Sequence, residues 1–274
     1  MLEVNGWTII TGASGSMGAA ATEALAVQGK PVIMACRNPE KAESVRNRIL
    51  SRIPEAVLEI RELDLSSLAS VRRFAGEIEP ESVSGLFNNA GTISRGYSLT
   101  EDGLENTMAV NYFGPWLLTN LLLPCMRADA RIVNMVSLTC RFAHIQVSSL
   151  QPAESEFRQL KTYARSKRAF LSFSQELARR HPRFRVHVAD PGVVASGMID
   201  LGRWFDPLAD ALFKPFCKKP EAGVRPALRA LSSDIPSIRY FVGRGSRDMP
   251  NRYIDPALDA GIWDATEERI LRKK

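Results

Sequence analysis

Hydrophobic residues along the chain follow two rhythms. Short, almost wholly apolar runs occur at Trp7 to Thr11, Val32 to Cys36, Ala56 to Leu63, Val83 to Asn88, Ile132 to Ser137 and Arg185 to Ala189. Several of them are too apolar to leave one face wet, the mark of strands in a parallel sheet. Between them, apolar positions recur at helical spacing over about Met17 to Gln28, Pro39 to Ser51, Leu68 to Glu79, Leu104 to Met126 and Glu156 to His181. Such alternation predicts an α/β fold in which helices cover both faces of a doubly wound parallel sheet. No repeat, low-complexity linker or break in composition divides residues 1–274, so a single domain is expected. The least regular stretches are 138–155 and 193–220.

The first strand runs directly into TGASGSMG, with glycines at Gly12, Gly15 and Gly18. A glycine-rich turn between a first strand and a first helix lets backbone N–H groups approach a pyrophosphate at the helix N-terminus. A hydrolase elbow would need glycine two places after Ser14, where Ser16 stands, and a P-loop would need Gly-Lys-Ser/Thr. Dinucleotide binding survives both comparisons, with Gly12, Ser14, Gly15, Ser16, Met17 and Gly18 around the phosphates. The second strand ends Ala35-Cys36-Arg37-Asn38, where an NAD site places a carboxylate for the ribose hydroxyls. Arg37 in its stead suits a 2′-phosphate and predicts NADP (NADPH) over NAD.

Tyr163 and Lys167 are four residues apart on a predicted helix and share a face. An ammonium beside a phenol favours the phenolate and is expected to lower the tyrosine pKa towards the range of acid–base work.

In order along the chain stand TGASGSMG, Asp64-Leu65, Asn88-Asn89-Ala90-Gly91, Asn111, Ser137, Tyr163 with Lys167, and Pro191-Gly192. This series resembles the short-chain dehydrogenase/reductase family. The stretches ACRNPEKAE at 35–43, VNYFGPWLLTNLLLP at 110–124 and YARSKRAFLSFSQELARR at 163–180 are similar to its retinol dehydrogenase-like branch, as is the long gap between Ser137 and Tyr163. The resemblance implies a Rossmann-type fold and an oxidoreductase acting on CH–OH groups. It assigns Tyr163 as proton donor or acceptor and Ser137 as hydrogen-bond partner of the substrate oxygen. Lys167 would hold the nicotinamide ribose, and Asn111 would position a water behind the lysine. It further places Asp64 and Leu65 beside the adenine, Asn88, Ala90 and Gly91 beside the cofactor, and Pro191 and Gly192 near the nicotinamide.

The chain departs from the family turn T-G-x-x-x-G-x-G, having Ser16 at the second glycine and Gly15 one place earlier. Val136 stands before Ser137 where serine is common, and Ser196 where threonine often follows Pro-Gly. Neither change removes a catalytic group.

Composition adds limits. The 274 residues are 45% hydrophobic and carry 36 Lys+Arg against 30 Asp+Glu, a net charge of +6. The two signs are interspersed, and the pairs and triplets Lys218-Lys219 and Arg272-Lys273-Lys274 are too short to argue for nucleic acid. Cys36, Cys125, Cys140 and Cys217 form no C-x-x-C pair, which fits neither a metal site nor a disulfide framework and points to a reducing, cytoplasmic compartment. No signal peptide or transmembrane segment is expected, nor an apolar anchor before the glycine turn, so membrane retinoid chemistry is not implied.

After Pro191-Gly192 come Met198, Ile199, Leu201, Trp204, Phe205, Leu208, Leu212, Phe213 and Phe216. The resemblance makes 193–220 a substrate lid, and its apolar content favours a hydrophobic aldehyde, ketone or retinoid- or steroid-like substrate. Lys214, Lys218 and Lys219 are compatible with a membrane-surface contact, and a homo-oligomer stays open. The alternatives are a reductase of polar carbonyls such as sugars or acyl intermediates, a non-catalytic NADP-binding regulator, and an interaction protein using its basic surface.

Overall fold

The computed structural model describes residues 6–194, 218–236 and 238–271. The expected lid residues from Met198 to Phe216, with Ser196 and Cys217, lie outside the described residues.

Strands β1 (Trp7–Thr11), β2 (Val32–Cys36), β3 (Leu58–Glu62), β4 (Val83–Asn88), β5 (Met126–Met135), β6 (Arg185–Asp190), β7 (Tyr240–Val242) and β8 (Gly245–Arg247) form one sheet in the order β3-β2-β1-β4-β5-β6-β7-β8. All pairings are parallel except that of β7 with β8. Helices α1 (Ser16–Val27), α2 (Pro39–Leu50) and α3 (Leu68–Gly76) follow the first three strands. Helix α4 runs as consecutive pieces, Asn106–Met108, a π-turn over Ala109–Phe113, and Gly114–Leu122. Then come α5 (Gln159–Arg180), α6 (Pro220–Leu231) and α7 (Pro256–Leu271).

The continuous apolar runs are explained by two cores. Successive strand side chains point to opposite faces. Ile9, Leu86 and Ile132 enter the core shared with α3, α4, α5 and α7, while Ile10, Phe87 and Val133 enter the core shared with α1, α2 and α6. The sheet is therefore covered on both sides, a doubly wound Rossmann-type architecture. Among the described residues no helix is long and apolar enough to cross a membrane.

Two features steady the helices that carry candidate chemistry. Trp263 of α7 packs edge-on to Trp116 and stacks on Phe173, both at 5.5 Å between ring centroids. The buried carboxylate of Asp259 accepts from Arg179 at 2.8 Å and from Gln175 at 3.1 Å, joining α7 to α5. The predicted helix over 104–126 is shorter than expected, because the chain turns at Leu123–Cys125 and β5 begins at Met126. The polar residues Arg127 and Asp129 at the start of β5 are exposed, which masked that half of the strand in the hydrophobic pattern.

Candidate active site

Strand order reverses direction between β1 and β4, and the crevice at a reversal lies beyond the carboxyl ends of the strands. There Thr11 ties the two ends together. Its hydroxyl accepts from the amides of Asn89 and Ala90, each at 3.0 Å, and its carbonyl accepts from Asn89 Nδ2 at 2.8 Å. Gly12 turns the chain with φ +66°, a left-handed conformation natural to glycine. A Cβ on Gly18 would stand 2.2 Å from the Gly12 carbonyl oxygen, so the first turn of α1 can press onto the glycine turn only without a side chain there.

Gly15 is the N-cap of α1 with φ −79°, a conformation open to any residue, and a Cβ there would meet only the Gly12 carbonyl oxygen, at 3.3 Å. Ser16 opens the helix and is exposed. The shifted glycine spacing thus leaves the turn unstrained at 15 and 16, where Ser16 is exposed at the mouth of the cleft, and the tight approach is made at 18.

A cleft of about 380 Å³ opens over this turn. Gly12, Ser14, Gly15, Ser16, Met17 and Gly18 line one wall, and Arg37, Asp64, Leu65, Ala90 and Gly91 line the others. Asp64 is held by Ser66, whose amide and hydroxyl donate to Oδ1 at 2.8 and 2.6 Å. The Leu65 carbonyl would stand 2.3 Å from a Cβ on Gly114, so α4 braces this loop closely. Ser14 hydrogen-bonds the Cys36 thiol, although burial, the larger effect, pushes that thiol up. The dimensions and the bare backbone at Gly12 and Gly18 fit a dinucleotide.

One expected residue is placed elsewhere. Asn88 Nδ2 donates to Thr119 at 3.0 Å and Asn134 at 2.8 Å in the interior, and its side chain does not reach the cleft. Asn89 lines the cleft instead. The sequence alone does not tell which of two adjacent asparagines turns its side chain to the strand end, and here it is Asn89. Lys41, in the first turn of α2, was not expected there and lines the cleft together with Arg37. The available signal was its place: a lysine at the positive end of a helix dipole is unfavourable unless an anion is nearby.

Met17, Asn89 and Gly91 also line a second cavity of about 190 Å³, which contains Ser137, Tyr163, Lys167, Pro191 and Gly192. Ser137 follows β5 and caps a short 3-10 turn, its Oγ accepting from the amide of Thr139 at 3.3 Å and its hydroxyl at 3.0 Å. Ser137 also hydrogen-bonds the Tyr163 hydroxyl. A Cβ on Gly91 would lie 3.4 Å from both Asn111 Oδ1 and Lys167 Nζ, so these three residues converge. Asn111 sits in the π-turn of α4, and its amide is committed to protein partners. Oδ1 accepts from Thr92 N at 2.7 Å, and Nδ2 donates to Thr92 O at 2.9 Å and Ser166 Oγ at 3.0 Å.

The tyrosine pKa moves opposite to the expected direction. Burial, opposed by the Ser137 hydrogen bond, pushes Tyr163 up to about 12, and the charges of Cys140 and Asp190 add to the rise. Lys167, whose buried Nζ donates to the Met135 carbonyl at 3.0 Å, does not offset this, because it has already lost its charge in the pH range where the phenol ionises. Desolvation lowers the lysine to about 8.

A doubly wound sheet with a cleft over its glycine turn, and Ser137, Tyr163 and Lys167 in the adjoining cavity, is the setting in which such α/β sheets bind dinucleotides. The family model for short chain dehydrogenase matches residues 6–202, and the chain belongs to that family. Retinol dehydrogenase 14 of Mus musculus is 32% identical over 284 residues, spanning 96% of this chain and 85% of its own length. Retinol dehydrogenase 13 of Homo sapiens is 34% identical over 93% of this chain and 81% of its own length. The chain thus falls in the retinol dehydrogenase-like branch. An uncharacterised protein from Mycobacterium paratuberculosis superposes with a TM-score of 0.79 at 30% identity, covering 98% of this chain and 94% of that one. A short-chain dehydrogenase from Sphingobium yanoikuyae in complex with NADPH shares the fold, with a TM-score of 0.66 at 21% identity over 96% and 92% of the two chains. Members of this family act on alcohol or carbonyl groups with NAD(P), and the same coarse activity holds for this chain.

Proposed function

We propose that the chain interconverts an apolar carbonyl and its alcohol with NADP(H), using Tyr163, Ser137, Lys167 and Asn111. The observation that carries this reading is the smaller cavity, where Ser137 and Tyr163 meet Ile93, Leu138, Phe142, Val193 and Val194. A polar hydrogen-bonding pair set against apolar walls suits a substrate with one reactive oxygen on a hydrophobic body.

Bound nicotinamide supplies or accepts the hydride. With a pKa near 12, Tyr163 is protonated at neutral pH and can donate to the oxygen of a carbonyl as negative charge develops there. Ser137 accepts from Thr139, which leaves its own proton to donate to the same oxygen. Lys167 holds α5 against the end of β5 and, below about pH 8, brings a positive charge to the ribose side of the site. The preference for NADP rests on Arg37 and Lys41, two exposed cations on one rim of the cleft that suit a 2′-phosphate.

The test is an NADPH-oxidation screen of aldehydes and ketones of increasing apolar size, repeated with NADH. The reading predicts kcat/KM rising with apolar size and favouring NADPH. Preference for sugars or acyl intermediates, or equal use of both cofactors, would overturn the corresponding part.

A further inference from the structure

The Pro191–Gly192 turn lines the cavity that holds Tyr163 and Lys167, and Gly192 has φ +71°. What fixes it lies behind it. Asp190 ends β6 and is 1% exposed. Its Oδ1 accepts from the Gly192 amide at 2.8 Å, and its Oδ2 accepts from the Tyr240 hydroxyl at 2.7 Å. Tyr240 is itself 1% exposed and sits on β7, next to β6 in the sheet. Burial, reinforced by the facing carboxylate, pushes its pKa far up, so the hydroxyl stays protonated and donates. From the solvent side Lys218 Nζ donates to the Pro191 carbonyl at 3.2 Å, and its amide donates to Val193 O at 3.0 Å.

We infer that Asp190, seated by Tyr240, is a positioning residue that fixes the Pro191–Gly192 turn against the nicotinamide half of a bound dinucleotide. A buried carboxylate is retained only where its oxygens are satisfied, and here both are spent on the turn and its anchor. One oxygen sets the direction of the Gly192 amide, and the other prevents the carboxylate from rotating away. Asparagine can keep the acceptor for Gly192 and present its amide to the tyrosine oxygen, whereas alanine leaves the Gly192 amide and the Tyr240 hydroxyl unpaired. The adenosine half of the cleft, at Arg37 and Asp64, contains neither residue.

This inference rests on the dinucleotide reading above, and its test uses binding, not turnover. NADPH affinity is measured by nicotinamide fluorescence, and affinity for 2′,5′-ADP, which lacks the nicotinamide, by calorimetry, for the wild type, Asp190→Ala, Asp190→Asn and Tyr240→Phe. Asp190→Ala is expected to weaken NADPH roughly tenfold or more while 2′,5′-ADP stays within about twofold. Asp190→Asn should restore NADPH binding to within about threefold of wild type, and Tyr240→Phe should fall between the two. If Asp190→Ala fails to fold, Tyr240→Phe carries the same contrast. NADPH affinity unchanged in Tyr240→Phe and in any folded Asp190→Ala, or an equal loss of both ligands, would overturn the inference. A wild type that binds NADH as tightly as NADPH would instead overturn the NADP preference, and the series is then read with NADH and ADP.

Discussion

Lys167 Nζ lies 3.0 Å from the carbonyl oxygen of Met135, so the ammonium of α5 is held by the end of the strand that leads to Ser137. The contact fixes the helix against the sheet at the point where serine and tyrosine meet. It also leaves the lysine buried, with a pKa of about 8. If its positive charge serves turnover, carbonyl reduction is lost as pH rises through that value, while the tyrosine, at about 12, remains protonated. Initial rates between pH 6 and 10 should show kcat/KM level below about 8 and falling about tenfold per unit above it. A profile flat to pH 10 would contradict this role.

Arg37 and Lys41 make a separable prediction about the other end of the cleft. Arg37→Ala should raise the KM for NADPH about ten- to a hundredfold, the loss of a hydrogen bond to a charged group, and leave that for NADH within about twofold. Lys41→Ala should act in the same direction with a smaller factor. Steady-state kinetics with both cofactors check it.

The glycine turn predicts different outcomes at neighbouring positions. Gly18→Ala places a methyl 2.2 Å from the Gly12 carbonyl oxygen and should cost about 3 kcal/mol or more of stability. Gly15→Ala meets that oxygen at 3.3 Å in an ordinary backbone conformation and should cost about 0.5 kcal/mol or less. Its methyl still borders the cleft, so cofactor affinity should drop with the fold intact. Denaturant melts and cofactor titrations on both variants separate the two effects.

His187 lies fully buried on β6, with Nδ1 accepting from the Arg239 amide at 3.3 Å. Burial, then the charges of Arg131, Arg185 and Arg239, lower its pKa from the ordinary 6.5 to about 4. The unfolded chain therefore takes up a proton that the folded chain refuses. Stability is unaffected above about pH 6.5 and falls as pH drops from there to about 4, by about 3 kcal/mol at most. His187→Gln should flatten this part of the stability profile, measured by urea melts from pH 7 to 4.

Much of this was legible in the sequence, for reasons that differ by element. Val32 to Cys36 and Val83 to Asn88 were bounded correctly because both of their faces are buried and their ends are punctuated by Lys30-Pro31, Arg37-Asn38 and the glycine after Asn88-Asn89-Ala90. The short strands Tyr240–Val242 and Gly245–Arg247 and the helices Pro220–Leu231 and Pro256–Leu271 were not picked out. In α7 the buried positions Asp259 and Thr266 are polar and paired across the fold, which blurs the hydrophobic period. The site was readable as a set of residue types, since the motifs mark strand ends. Orientation was not: Asn88 against Asn89, and the commitment of Lys167 to a backbone carbonyl, depend on packing between distant segments. The reversed direction of the Tyr163 pKa has the same origin, because burial raises the phenol and at the same time lowers Lys167 to about 8, so the lysine is uncharged where the phenol ionises.

The most direct test of the account is the rate of NADPH oxidation with an apolar aldehyde or ketone by Tyr163→Phe beside the wild type, with NADPH binding measured on both. The account predicts that the variant folds, binds NADPH as the wild type does and loses about a hundred- to ten-thousandfold in kcat. Turnover at the wild-type rate by a folded, NADPH-bound Tyr163→Phe chain would contradict it.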